Sequence, residues 1–265
     1  CHLLTNHMRT LCSQKKYYQG VMPCKIFIIC YTRGDYPSFL LLKIMLSFYE
    51  DKDEEINGYG LFAIPLMTFN YGDISENELS TCNRFLNNVI PNRYNLVTKE
   101  NYILDKDLPT FKNFFDKCIK TYVEKIIIGE DYYEDALQNI DFKITQSWIN
   151  LSMPGSLGHH EHRHSNSFIS GVFYISADAS CDQISFINPF LLDRDLVLGK
   201  YISNSFNSEE WDYPVKTGHL VLFPSYLHHF VKPLKGTKNR ISLAFNVIPS
   251  GKIGEACDLN ELRLQ

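Results

Sequence analysis

Between residues 158 and 167 the chain reads Gly-His-His-Glu-His-Arg-His-Ser-Asn-Ser, which places four of its nine histidines and one carboxylate within six residues. The next segment, Phe168 to Ile175, is rich in aromatic and β-branched residues and reads as a buried strand. The histidines therefore stand at a strand's entrance. In extended backbone residues i and i+2 share a face, so His162 and His164 reach a single ion while Arg163 points away. A second cluster, His228-His229, closes the segment that begins at Gly218. Two sequence-distant clusters then supply one three-ligand metal site.

Bulk properties narrow the setting. At 265 residues and 45% hydrophobic content, the chain buries a real core, and one main domain is the default at this length. Its net charge of −4, with no basic block, gives no electrostatic case for nucleic acid. The longest apolar run, Phe39 to Phe48, is half the roughly 20 residues that a spanning helix needs, so no membrane partner is expected. Of eight cysteines, four fall in the first thirty residues and the rest are scattered, with no CxxC pair. Sparse cysteines in the main body fit a reducing, intracellular, cytoplasmic setting. Oligomeric state is left open by the sequence.

Residues 1–55 differ in character from the rest of the chain, since cysteines are dense and neither helical nor strand periodicity holds. They are expected to be an N-terminal extension, upstream translated or disordered sequence with Met22 or Met45 as alternative starts, or else an accessory subdomain. The main domain, residues 56–250, opens with an apolar strand at Gly60 to Phe69. Ser75 with Glu78 forms a capping box for a helix running toward Val89. Apolar positions from Phe111 to Ile127 keep helical spacing over 108–128, and Gly129 ends that helix. After residue 140 the period becomes that of strands, expected at 142–150, 168–175, 183–187, 215–223, 229–234 and 240–248. Short strands without intervening helices imply a mainly β, α+β architecture of sandwich or jelly-roll type. A polar loop within 188–214 is long enough for a lid, and residues 251–265 read as a fraying tail.

Histidine type alone does not choose among Fe(II), Zn, Cu and Ni. A pair on one strand plus a third ligand 65 residues after His164 leaves coordination positions open, as catalytic sites require. Arg240, eleven positions after His229, lies in an otherwise apolar strand and must find an anion or water. Its fork suits a carboxylate, and Ser242 on the same face can donate a second hydrogen bond. A structural arginine paired to an internal acid is the competing reading.

Taken in order, Ser147-Trp148-Ile149-Asn150, His162-Arg163-His164-Ser165-Asn166-Ser167-Phe168, Gly218 to His229, and Arg240-Ile241-Ser242 to Asn246 resemble the 2-oxoglutarate/Fe(II) oxygenase family common in bacteriophage and marine microbial genomes. The resemblance spans roughly residues 60 to 250. It implies a double-stranded β-helix, Fe(II), 2-oxoglutarate and O2 as co-substrates, an organic substrate the sequence does not identify, and hydroxylation. It also extends the cytoplasmic setting to that of a virus-infected host cell. His162 and His229 take the places of metal ligands, with Arg240 and Ser242 gripping 2-oxoglutarate. His164 stands where the wider superfamily has Asp or Glu. No catalytic side chain beyond the metal site is implied. A literal His-x-Glu occurs at His159-His160-Glu161, on the opposite strand parity; it is disfavoured because the resemblance places the Ser-Asn-Ser turn directly after His164, and whether His164 or Glu161 completes the triad is left open. His160 and His228 are expected beside the ligands or at the surface, and His219 as a satisfied core histidine. Two rival readings are a cupin-like three-histidine metalloprotein that does not use 2-oxoglutarate, and a non-catalytic viral jelly-roll interaction module.

Overall fold

The structure, a computed structural model, describes residues 25–31, 41–50, 57–59, 63–129, 140–190, 204 and 207–264. The chain divides into two compact units, Cys1–Ala63 and Ile64–Gln265. In the first, strands β1 (Lys25–Tyr31), β2 (Leu41–Glu50) and β3 (Asn57–Tyr59) form an antiparallel sheet in that order. The sequence reading assigned no strand here, and Met45, one of its alternative starts, lies within β2 opposite Phe27.

The second unit begins with β4 (Met67–Asn70) and helix α1 (Glu76–Leu86). The expected capping box is present: Ser75 caps the helix, accepting from Glu78 N–H, while the Glu78 carboxylate accepts from Ser75 N–H at 2.8 Å. Two short strands missed in the sequence, β5 (Val89–Asn92) and β6 (Asn95–Thr98), pair as a hairpin. Helix α2 (Pro109–Tyr122) continues into a wider π-turn, Val123–Ile128, which Gly129 ends as its position suggested.

The remaining described strands build and close the jelly roll: β7 (Ile140–Ser152), β8 (His159–His162), β9 (Ile169–Ser176), β10 (Gln183–Ile187), β11 (Glu210–Pro214), β12 (His219–Pro224), β13 (His229–Val231), β14 (Arg240–Ile253) and β15 (Leu262–Leu264). The major sheet runs β4-β12-β9-β14-β7-β6-β5, and the minor sheet β11-β10-β13-β8. From β8 to β14 the chain passes repeatedly between the two sheets, which makes the fold a double-stranded β-helix with helices at its N-terminal side. The expected tail is a correction: residues 251–253 extend β14, and β15 folds back to pair with them. The polar loop read as a lid falls largely on residues outside those described, apart from β11.

Alternation along the central strands builds two cores. Ile169, Phe173, Leu220, Leu222, Leu243 and Phe245 face Phe111, Phe115, Ile119 and Tyr122 of α2. Val172, Tyr174, Val221, Phe223 and Ala244, one residue out of phase, face Ile184 and Phe186 of the minor sheet. Gly171 serves the first core: a Cβ there would collide with the Phe245 ring, which stacks on Phe115 at 4.9 Å. Major-sheet side chains of the second phase therefore point into the space between the sheets.

Candidate metal centre

That inner face carries an unusual share of buried polar groups: Asn150 and Ser152 on β7, Ser170 on β9, and Arg240, Ser242 and Asn246 on β14. The even-numbered β14 residues all take the phase of Ala244, so Arg240, Ser242 and Asn246 form one stripe.

The histidines come from the other sheet. His162 ends β8 and His229 begins β13, directly opposite each other in the ladder. This corrects the expected layout, because the His-rich run does not lead straight into β9; residues 163–168 cross from the minor sheet to the major one. His164 sits in that crossing. The crossing is fastened to the turn before His229: His164 N–H donates to Ser225 O at 3.1 Å, and Ser225 Oγ donates to Ser167 Oγ at 2.7 Å. Asn166 takes a left-handed φ of 54°, a conformation asparagine tolerates better than most residues.

The result is convergence of His162, His164 and His229, one ring nitrogen from each lying within 4.8 Å of the others. Ring centroids are 5.3 Å (162–164), 4.3 Å (162–229) and 5.2 Å (164–229) apart. Each ring has a hydrogen-bond acceptor at Nδ1: His160 O at 2.8 Å for His162, Asn246 Oδ1 at 2.6 Å for His164, and Leu227 O at 3.0 Å for His229. A neutral imidazole has one N–H and one lone pair, so donation from Nδ1 leaves Nε2 as the ligand atom. Such partners fix ring orientation and tautomer at metal sites. Three imidazoles presenting Nε2 together fit a divalent transition ion.

Electrostatics agree. Burial lowers the histidine pKa values, and the neighbouring imidazoles lower them further, to about 4 for His162 and well below the ordinary value for His229. His164 is also lowered by burial, partly offset by its bond to Asn246. All three are neutral near pH 7 and need lose no proton to coordinate. Aromatic rings wall the site: Phe223 stands edge-on to His229 at 4.8 Å, and Trp148 lies 5.7 Å from His164.

Among the described residues, Glu161, His219 and His228 belong to no group of converging histidines. Glu161 is exposed and accepts from His228 Nδ1 at 2.9 Å. His219, expected to be satisfied, has a buried Nδ1 without a partner among the described residues. His159, part of the disfavoured His-x-Glu pair, joins the cluster: its ring lies 4.4 Å from that of His162, and burial together with its histidine neighbours lowers its pKa to about 3. The cause is a bulge. His229 pairs with His162 while Val231 pairs with His159, giving β8 one extra residue and cancelling the alternation. Gly158, with φ 89°, leads into it where a Cβ would strike Val231 O.

Arg240 is 4% exposed and Ser242 5% exposed. Arg240 donates from Nη1 to Gln183 O over a long 3.4 Å, and among the described residues no carboxylate pairs with it. The expected alternative, a structural arginine neutralised by an internal acid, finds no paired acid among the described residues. Its charge is among those that lower His159, so it acts on the histidine cluster. Tyr174, register partner of Ser242, also feels Arg240; burial nevertheless raises its pKa. Only a structure could reveal Tyr174, since in sequence it is one aromatic within a core strand.

Residues 146–246 match the sequence family described as "Putative 2OG-Fe(II) oxygenase". The match agrees with the 2-oxoglutarate/Fe(II) oxygenase part of the resemblance and does not extend to a bacteriophage or marine type. The matched segment contains all three histidines, Arg240 and Ser242. Among solved structures the chain is similar to a Pseudomonas putida prolyl-4-hydroxylase, at 16% identity over 69% of this chain and 92% of that one, TM-score 0.43. It is similar to the non-heme alpha ketoglutarate dependent carbocyclase SnoK from nogalamycin biosynthesis, at 11% identity over 71% and 82%, TM-score 0.45. HygX from Streptomyces hygroscopicus, with nickel, 2-oxoglutarate and hygromycin B bound, is similar at 10% identity over 69% and 82%, TM-score 0.42. No curated protein matches the chain. Among the described residues, no helix is long and apolar enough to cross a membrane.

Proposed function

We propose that this protein is an Fe(II)- and 2-oxoglutarate-dependent dioxygenase that hydroxylates an organic substrate. In this reading Nε2 of His162, His164 and His229 holds the iron, and Arg240 with Ser242 holds the distal carboxylate of 2-oxoglutarate.

Arg240 is the observation that carries the reading. A buried guanidinium without an anion is expensive, and an apolar residue of similar volume would serve a purely structural role at lower cost. A dicarboxylate co-substrate supplies the anion that no described residue offers, in a geometry the fork accepts. The arginine stands on the strand that also bears Asn246, which orients His164, so one rigid element sets the position of co-substrate relative to metal.

The ion and 2-oxoglutarate would supply O2 activation coupled to decarboxylation of the co-substrate to succinate. The chain's own contribution is positional. Oxygen acceptors hold the three imidazoles in one tautomer, Phe223 and Trp148 exclude water from their apolar side, and Arg240 orients the co-substrate. With His164 in place of a carboxylate, the ligand set is neutral and leaves the ion one unit more positive. The carboxylates of the co-substrate then carry more of the neutralisation.

That neutral triad is also what a cupin-like metalloprotein without 2-oxoglutarate would show. Anaerobic calorimetry separates the two: the Fe(II)-loaded chain should bind 2-oxoglutarate at least tenfold more tightly than the metal-free chain. Equal or absent binding in both states would favour the cupin-like reading or a non-catalytic jelly roll.

A further inference from the structure

His162 belongs to two groups. Besides the triad above, one ring nitrogen from each of His159, His160 and His162 also lies within 4.8 Å of the others. Their centroid separations, 5.0 Å (159–160), 4.4 Å (159–162) and 5.2 Å (160–162), match those of the inner triad closely. All three residues are half-buried, whereas the inner group includes the buried His229. His160 adds an independent sign: its Nδ1 is buried and has no hydrogen-bond partner among the described residues, a state that coordination would resolve. The bulge that turns His159 toward His162 is what assembles this second group. His159 Nε2 has only a long, 3.4 Å contact with the Asn92 amide, which leaves the ring weakly held.

The geometry points to an outer metal position formed by His159, His160 and His162, alternative to the inner one and sharing His162 with it. Nδ1 of His162 is committed to His160 O, so the ring has a single lone pair, at Nε2. It serves one ion at a time. The two positions are therefore mutually exclusive, and a divalent ion of the borderline class, Fe(II), Co(II), Ni(II) or Zn(II), exchanges between them by trading His159 and His160 for His164 and His229 while His162 stays bound. The outer position, with no fully buried member, is where an arriving ion binds first.

Co(II) is the probe, with stoichiometry read by equilibrium dialysis and geometry by visible absorption. The full chain should take one equivalent, and two equivalents would overturn the shared-ligand account. The double variant His164→Ala/His229→Ala, which lacks the inner position, should still take one equivalent, more weakly. Adding His160→Ala should weaken that binding at least a further tenfold; no binding in the folded double variant, or no effect of His160→Ala, would overturn the outer position. The converse variant His159→Ala/His160→Ala should keep one equivalent, so loss of the outer position is distinguishable from failure of the inner one. Should the double variant not fold, stopped-flow loading of the single variant His160→Ala decides: Co(II) uptake several-fold slower than in the native chain supports the proposal, and an unchanged rate contradicts it.

Discussion

The Nδ1–H of His164 donates to Asn246 Oδ1 across 2.6 Å, tying a residue in the crossing between sheets to a side chain of the central strand β14. Asn246 thereby decides which nitrogen of His164 faces the cluster. Asn246→Ala should weaken Co(II) binding about 10–100-fold, the usual cost of losing such a partner, while Asn246→Asp should restore binding, because a carboxylate accepts the same proton. Calorimetric titration checks this, and native affinity in Asn246→Ala would remove Asn246 from the account.

Arg240→Ala should weaken 2-oxoglutarate binding to the metal-loaded chain by about 2–5 kcal/mol, roughly thirty- to several-thousand-fold, since it leaves a buried carboxylate unpaired. Metal affinity should change little. Arg240→Lys keeps the charge without the fork and should fall between the two. Unchanged 2-oxoglutarate titration in a folded Arg240→Ala protein would contradict the assignment.

Metal binding near pH 7 should release almost no protons. With His162 lowered to about 4 and His229 well below its ordinary value, the ligands are already neutral. Calorimetry in buffers of different ionisation enthalpy should give the same apparent binding enthalpy. The linkage has a second consequence for the metal-free chain. Histidines with depressed folded pKa values bind protons more readily when unfolded, so stability is full above about pH 6.5 and falls as pH drops toward about 4. Release of a full proton at pH 7 would mean that the rings are more exposed than described.

Glu78 ties α1 to its surroundings. Its carboxylate accepts from Ser75 at the helix cap, from Tyr71 and from Thr110 at the start of α2. Burial raises its pKa, but the hydrogen bonds from Thr110, Tyr71 and Ser75 outweigh burial and lower it overall. A lowered carboxylate pKa gives stability present above the unfolded value and lost as pH falls through the folded one. Glu78→Ala should cost about 1–3 kcal/mol in denaturant unfolding, through the cap and the stranded donors, and should flatten the acid limb. A change within about 0.5 kcal/mol would show that water replaces the carboxylate.

Local chemistry made α1, α2, the central strands and the convergence of His162 with His229 legible in the sequence. Ser75 and Glu78 announce a cap by their spacing, and Arg240, Ser242 and Asn246 announce a stripe by period 2. His159 was illegible because parity assumes an unbroken ladder, and the bulge opposite His229 and Val231 breaks it. The sheet change between β8 and β9 was hidden too, since a six-residue polar crossing and a strand entrance look alike in composition. Strands β5, β6 and β11 are edge or peripheral strands with little apolar alternation, and β15 owes its place to pairing with β14 rather than to its own sequence. Asn246 was visible as the end of a motif, but its bond to His164 spans 82 residues of sequence.

Turnover of 2-oxoglutarate tests the central claim most directly. The full chain, loaded anaerobically with Fe(II) and then exposed to O2, should convert 2-oxoglutarate to succinate even without a second substrate, at a slow uncoupled rate. His229→Ala and Arg240→Ala should each abolish that conversion, and His228→Ala, whose ring pairs with Glu161 outside the cluster, should leave it within about twofold. Absence of succinate from the folded, Fe(II)-loaded chain under these conditions, or succinate formation undiminished in His229→Ala, would contradict the account.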